Sequence, residues 1–253
     1  MDKVIDLLQN IDNKLTHEHD YSILLSSNKS DFTVHLNPPL QLDSNKWSVG
    51  LISLETYNSI PNITKKNNTF KYSTDSGTTW KTIKLMTGSY EIRDIDKIIR
   101  EKMRKNGDRD SIIIDTDFNL LKTVIDITNK QVRVDFTIPN SFRTLLGFDS
   151  IVLSGGTNLS QNITKILPIN SVLVNCDIIK NSYLNSNCYP VLYSFFPKSE
   201  PGFKIIQDPV NVVYLPVNSN YIQNIRIWLT DQDGDIIDFR GETITCRLNF
   251  KKI

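Results

Sequence analysis

Residues 21–51 read YSILLSSNKSDFTVHLNPPLQLDSNKWSVGL, and their period decides the fold. Tyr21, Ile23 and Leu25 alternate with smaller residues, Phe32, Val34 and Leu36 repeat the alternation, and Trp47, Val49 and Leu51 resume it after Pro38-Pro39. Successive side chains of an extended strand point to opposite faces, so apolar residues at every second position describe strands with one buried face. The spacing predicts three antiparallel strands. Ser26-Ser27-Asn28-Lys29 and Asp43-Ser44-Asn45-Lys46 supply the turns, because short polar side chains satisfy turn backbone locally.

The same period returns near the C-terminus. Val172, Val174 and Cys176 alternate, as do Val191, Tyr193 and Phe195, then Val210, Val212 and Tyr214, then Ile225, Ile227 and Leu229, and finally Ile244, Cys246, Leu248 and Phe250. Roughly eight strands with polar turns suit a jelly roll or a related sandwich, in which two antiparallel sheets each bury one face.

The middle of the chain differs in kind. Ile92, Ile95, Ile99 and Met103 form a helical stripe, with Ser89 as the expected N-cap, Glu91 and Asp94 near the start, and Arg100, Lys102, Arg104 and Lys105 at the end before Gly107. Strands are expected at Ile112–Ile114, at Leu121–Ile127 and, after a turn at Asn129-Lys130, through Val132, Val134 and Phe136. A short helix from Ser141 to Leu146 stops at Gly147-Phe148, and the polar stretch from Ile151 to Ile166 reads as a loop. At the N-terminus, Met1, Val4, Leu8, Ile11 and Leu15 make the apolar face of an amphipathic helix. That helix is too short to be stable alone, so it docks on the body or on a neighbouring molecule.

The expected organisation is mainly β: an amphipathic arm over residues 1–17, a jelly-roll sandwich from residues 18–75 plus 166–253, and an inserted α+β subdomain over 76–165. A chain of 253 residues buries a core of this kind without disulfide or metal support.

Charge and composition narrow the function. Lys+Arg number 29 against Asp+Glu 28, so no overall field draws the chain to nucleic acid or to an anionic membrane. Cys176, Cys188 and Cys246 are odd in number and lack C-x-x-C spacing, which suits a reducing compartment. No run approaches the roughly 18 apolar residues of a membrane span, and the N-terminus lacks the pattern of a signal peptide.

Candidate chemistry is sparse. His17-Glu18-His19-Asp20 gathers metal-ligand types but lacks a third ligand at defined spacing, and His35 has no nucleophile motif beside it. Asp231, Asp233 and Asp235 resemble the opening of a calcium loop, with Glu242 at its twelfth position. Ile236 stands where that loop wants Gly, however, and strand-like flanks replace its helices, so a β-hairpin turn at Asp233-Gly234 is the better reading. Ser154-Gly155-Gly156-Thr157 lacks the Lys of a phosphate loop. The basic run from Lys97 to Lys105 suits a helix C-terminus rather than a genome contact, and Tyr193, Phe195, Phe196, Phe203, Tyr214 and Trp228 suit core or interface rather than base stacking. No catalytic, cofactor-binding or metal-binding residue is assigned, and histidine poverty argues against a hydrolase.

Several stretches carry a resemblance. Tyr21–Asn28, Phe32–Leu36, Pro39-Leu40, Trp47–Leu51, Thr87–Ile95, Leu145–Phe148, Ile169–Ile178, Val191–Pro197, Pro201–Phe203 and Trp228–Gly234 resemble, in order, motifs of the penton (vertex) capsid proteins of Polinton/Maverick elements and adintovirus-like viruses. The resemblance runs from about residue 20 to the C-terminus and leaves out the N-terminal helix. It implies a non-enzymatic jelly-roll virion protein that forms homopentamers at the vertices of an icosahedral shell, beside a double-jelly-roll major capsid protein, in a virion assembled inside the host cell. A domesticated host copy would carry the same motifs. The rival from another class is a cellular carbohydrate-binding or adhesion sandwich, which sequons such as Asn62-Ile-Thr64 would permit behind a secretory leader.

Overall fold

A computed structural model describes residues 20–43, 46–167 and 169–252. In chain order the first strands are β1 (Tyr21–Ser27), β2 (Asp31–Gln41), β3 (Trp47–Tyr57), β4 (Thr69–Ser73) and β5 (Lys81–Lys84), followed by helix α1 (Ile92–Lys105). Then come β6 (Ile112–Asp117), β7 (Lys122–Ile127), β8 (Arg133–Asp135), a 3₁₀ turn at Phe142–Thr144, β9 (Val152–Leu153) and β10 (Gly156–Leu159). The chain ends with β11 (Val172–Cys176), β12 (Tyr183–Leu184), β13 (Asn187–Cys188), β14 (Val191–Phe195), β15 (Lys204–Gln207), β16 (Leu215–Pro216), β17 (Tyr221–Thr230) and β18 (Ile244–Lys252).

The chain divides into two compact units, after Asn58 and after Asn170. The expected divisions at 75/76 and 165/166 shift because β4 pairs with β5 and β8, which places residues 59–75 with the inserted unit.

The discontinuous unit is a jelly roll. One sheet runs β1-β18-β3-β15, with β16 also pairing β3, and the other runs β14-β11-β17-β2, every pairing antiparallel. Counting only the eight principal strands in chain order, the sheets read 1-8-3-6 and 5-4-7-2. Consecutive strands therefore land in different sheets except strands 4 and 5, β11 and β14, which pair as neighbours, and this is the double Greek-key arrangement of the fold. The three strands read from residues 21–51 exist, but they do not pair with one another, since the turn after Ser27 carries the chain from one sheet to the other. Inward-facing Leu25, Val49, Leu54, Cys246, Leu248 and Phe250 come from the first sheet, and Phe32, Val174, Ile225, Ile227 and Leu229 from the second; all are buried. Pro38 and Pro39 lie inside β2, an edge strand, where a missing N–H costs no ladder bond.

Two expectations for this unit are corrected. The alternation Val210, Val212, Tyr214 does not make a strand; only Leu215–Pro216 pairs. A Cβ on Gly50 would run into Val212 Cγ1 and lie 3.1 Å from the Val213 carbonyl oxygen, so this segment crosses the outer face of the first sheet where Gly50 leaves room. The Tyr214 hydroxyl donates to Asn249 Oδ1 at 2.8 Å and fixes the crossing. The turn at Asp231–Asp235 does not join a hairpin of β17 and β18, which belong to different sheets; a Thr230–Ile236 bridge closes it locally.

In the inserted unit, a sheet ordered β5-β4-β8-β9, a sheet ordered β10-β7-β6 and α1 share a core containing Phe70, Tyr72, Phe136, Phe142 and Phe148. Ile92, Ile95, Ile99 and Met103 are the buried stripe of α1. Its N-cap is Glu91, not Ser89: the Asp94 carboxylate accepts the Glu91 N–H at 3.1 Å, while the Ser89 hydroxyl donates to the Ile60 carbonyl. The stretch expected as a loop from Ile151 to Ile166 contains β9 and β10, with Thr157–Leu159 pairing Val124–Asp126 of β7. The expected N-terminal amphipathic helix lies outside the described residues.

Candidate assembly surfaces

The residues singled out in the sequence are dispersed. His17, Glu18 and His19 lie outside the described residues, and Asp20 is exposed ahead of β1. His35 sits on β2 with Nδ1 3.0 Å from Asn224 Oδ1 of β17, an exposed cross-strand pair. Asp231 Oδ1 accepts the N–H groups of Asp233 and Asp235 at 2.9 and 3.0 Å, so that carboxylate shapes its own turn. Among the described residues no group of three or more His, Cys, Asp or Glu is placed to hold a metal ion.

Local structure accounts for the other two motifs. A Cβ on Gly155 would stand 2.7 Å from the Lys130 Cα, and Gly156 has φ +109°, so this pair allows a tight approach of β10 to the neighbouring turn. At the end of α1, Lys102 Nζ donates to the Lys84 carbonyl at 2.7 Å and Arg104 pairs with Asp110 at 3.0 Å. The basic run is thus partly engaged within its own unit.

All three cysteines are free thiols. Burial pushes the Cys176 and Cys246 thiols up to about 12, which removes them as nucleophiles near neutrality, while Cys188 is exposed.

The aromatic residues separate by role. Phe195 is buried and stacks on Tyr193 with ring centroids 6.1 Å apart. Trp228 lies half-buried beneath Arg226, whose guanidinium carbon is 4.8 Å from the ring and which pairs with both Asp31 oxygens at 2.7 and 2.8 Å. Phe196 and Phe203 stay exposed.

Among the described residues, large apolar side chains are exposed on both units. On the jelly roll, Phe203 and Ile206 are exposed at β15, Val210 and Val213 are exposed in the segment that follows it, and Leu24 is exposed on β1 at the opposite edge of the first sheet. On the inserted unit, the β6–β7 turn presents Phe118, Leu120 and Leu121, respectively 72, 52 and 60% exposed. That turn is held: Asp117 Oδ1 accepts the N–H groups of Asn119 and Leu120 at 2.9 and 3.0 Å, and the Leu121 carbonyl accepts the Thr164 N–H at 2.9 Å. Leu121 was expected to begin a strand, yet the strand starts at Lys122 and Leu121 has φ 55°, rare for a side chain of its size. The signal in the sequence was three large apolar residues in a turn, where short polar ones are usual.

No protein-family model matches the chain, and no curated protein does. Among solved structures it matches the crystal structure of the mavirus penton protein, at 14% sequence identity with a TM-score of 0.50, over 93% of this chain and 100% of that one. The chain therefore has the fold of a penton protein, the same kind of protein whose motifs its sequence resembles.

Proposed function

We propose that this chain is a non-enzymatic structural component of a virion, a penton-type minor capsid protein that occupies the vertices of an icosahedral shell. The observation that carries this reading is the pairing of an eight-strand jelly roll with an insertion between its third and fourth principal strands, in a fold similar to the mavirus penton protein along 93% of the chain. The finer parts of the reading rest on the motif resemblance. They are a homopentamer, a neighbouring double-jelly-roll major capsid protein, and origin in a Polinton/Maverick-type element. Balanced charge supports a role in the shell rather than on the genome, and three free thiols support assembly in a reducing compartment.

The test is the mass of the full chain by light scattering over a range of concentrations, with electron microscopy of the product, alone and with a double-jelly-roll shell protein. Five-subunit rings that seat at shell vertices are expected. A monomer at every concentration, absent from the shells formed, overturns the reading.

A further inference from the structure

A jelly roll leaves four strand edges, and in this chain they are treated differently. In the second sheet, β2 carries Pro38 and Pro39 within the strand, and β14 is flanked by Pro190 and Pro197 and meets β11 across a register shift at Val174/Asn175. Both devices blunt an edge against further pairing. In the first sheet Pro216 lies in the two-residue β16 and a register shift separates Arg247 from Leu248 inside the sheet, but the edge strands β1 and β15 themselves carry neither device. β1, YSILLSS, has no charge, proline or bulge and exposes Leu24 at 57%; β15, KIIQ, has one charge, at Lys204, and exposes Ile206 at 55%. Among the described residues nothing pairs with the outer edge of either strand.

We infer that β1 of one copy of this chain pairs with β15 of the next, continuing the first sheet from subunit to subunit. The occupant is a second copy because one chain carries both open edges and their directions match. The order β1-β18-β3-β15 alternates strand direction, so β15 runs opposite to β1. A copy related by rotation about an axis along the strands thus presents its β1 antiparallel to β15, the pairing used throughout this sheet. Side-chain parity agrees. Setting Leu24 opposite Ile206 keeps both on the outer face and sets Leu25 opposite Ile205, both of which already face the interior. Joining two different edges makes a heterologous contact, which closes into a ring when the rotation closes.

This inference rests on the reading that the chain self-assembles, and the experiment separates the two. Leu24→Lys and Ile206→Lys each place a charge on one edge at an exposed position of the full chain. Each variant is expected to self-associate at least about tenfold more weakly than wild type in sedimentation, a loss typical of a central interface residue. Each retains one intact edge, so an equimolar mixture of the two forms a dimer and stops there. Variants that assemble like wild type overturn the edge pairing and leave self-assembly standing; a monomeric wild type overturns both. A measurement independent of the variants is hydrogen exchange on wild type, where the amides of Tyr21–Ser27 and Lys204–Gln207 slow on assembly; unchanged exchange there overturns the inference.

Discussion

The carboxylate of Asp96 on α1 accepts the backbone N–H of Ile114 on β6 at 2.9 Å, so the helix closes the open edge of a three-stranded sheet with one side-chain oxygen. Its other oxygen holds Arg100, one helical turn on, at 2.9 Å. Replacing Asp96 by Ala leaves a buried N–H and a partly buried guanidinium without their acceptor, a loss of about 1–3 kcal/mol. Asp96→Asn, whose carbonyl can still accept, is expected to cost less. Urea unfolding of the two variants checks this; equal costs would mean that the ion pair, not the edge bond, matters.

Gly50 predicts a packing response. Adding a Cβ forces the segment that crosses the sheet at Val212 off its seat, because the Val213 backbone also lies close. Gly50→Ala is expected to cost about 1–3 kcal/mol, as overpacking does. Val212→Ala in the same chain is expected to recover part of that, and thermal unfolding of the single and double variants decides it.

These two cases mark what the sequence conveyed and what it did not. Period-two alternation identified the strands around Leu25, Phe32, Val49, Val174, Ile227 and Leu248, because alternation reports which face is buried. It does not report which strand pairs with which, so the strands of residues 21–51 read as neighbours although Ser27 ends a strand of one sheet and Asp31 begins a strand of the other. Val210, Val212 and Tyr214 alternate as well as any true strand, but the space over Gly50 and the Asn249 side chain decide where they lie. At α1, Ser89 satisfies the local capping preference and Glu91 does not, and only the position of the Ile60 carbonyl shows that Ser89 is engaged elsewhere. The candidate surfaces were least legible, since exposure of Ile206 or Phe118 depends on tertiary neighbours.

Acid is expected to weaken the inserted unit. Burial pushes the Asp135 and Asp108 carboxyls up, but hydrogen bonds from Lys71 and Thr137 to the first, and from Lys81 and Tyr72 to the second, outweigh it and hold both below the ordinary 3.8. A carboxyl depressed on folding contributes stability that is fully present above its unfolded value and lost as pH falls through the folded one. Stability is therefore flat near neutrality and declines below about pH 4. Asp135→Asn should lower stability at neutral pH and shrink that acid decline; melting temperatures of both proteins across pH 2–7 test it, and an unchanged acid decline would refute the assignment.

The thiols should react unequally. With Cys176 and Cys246 buried in the sandwich and held protonated to about 12, native protein is expected to expose one fast thiol, Cys188, to an aromatic disulfide reagent, and all three in denaturant. Three fast thiols in native protein would contradict the packing of β11 against β18.

The β6–β7 turn carries the last prediction. Leu121 holds a left-handed backbone that costs a non-glycine residue about 1–2 kcal/mol, while its side chain stands 60% exposed and recovers little of that cost within its own unit. Glycine adopts the same backbone without that strain, though it loses more chain entropy on folding. Leu121→Gly is therefore expected to leave stability unchanged or raise it by up to about 1 kcal/mol. On the reading that the chain assembles into a shell, strain kept at this exposed apolar residue is expected to serve a contact outside the subunit. Phe118 and Leu120 share the turn, and Asp117 fixes it before any partner arrives, so little ordering is lost on contact. Measured together, unfolding in urea and incorporation into assembled particles should separate: Leu121→Gly at least as stable as wild type, and less efficiently incorporated. A variant destabilised by more than about 1 kcal/mol would show instead that Leu121 serves the fold of its own unit, and full incorporation would remove the turn from the list of contacts.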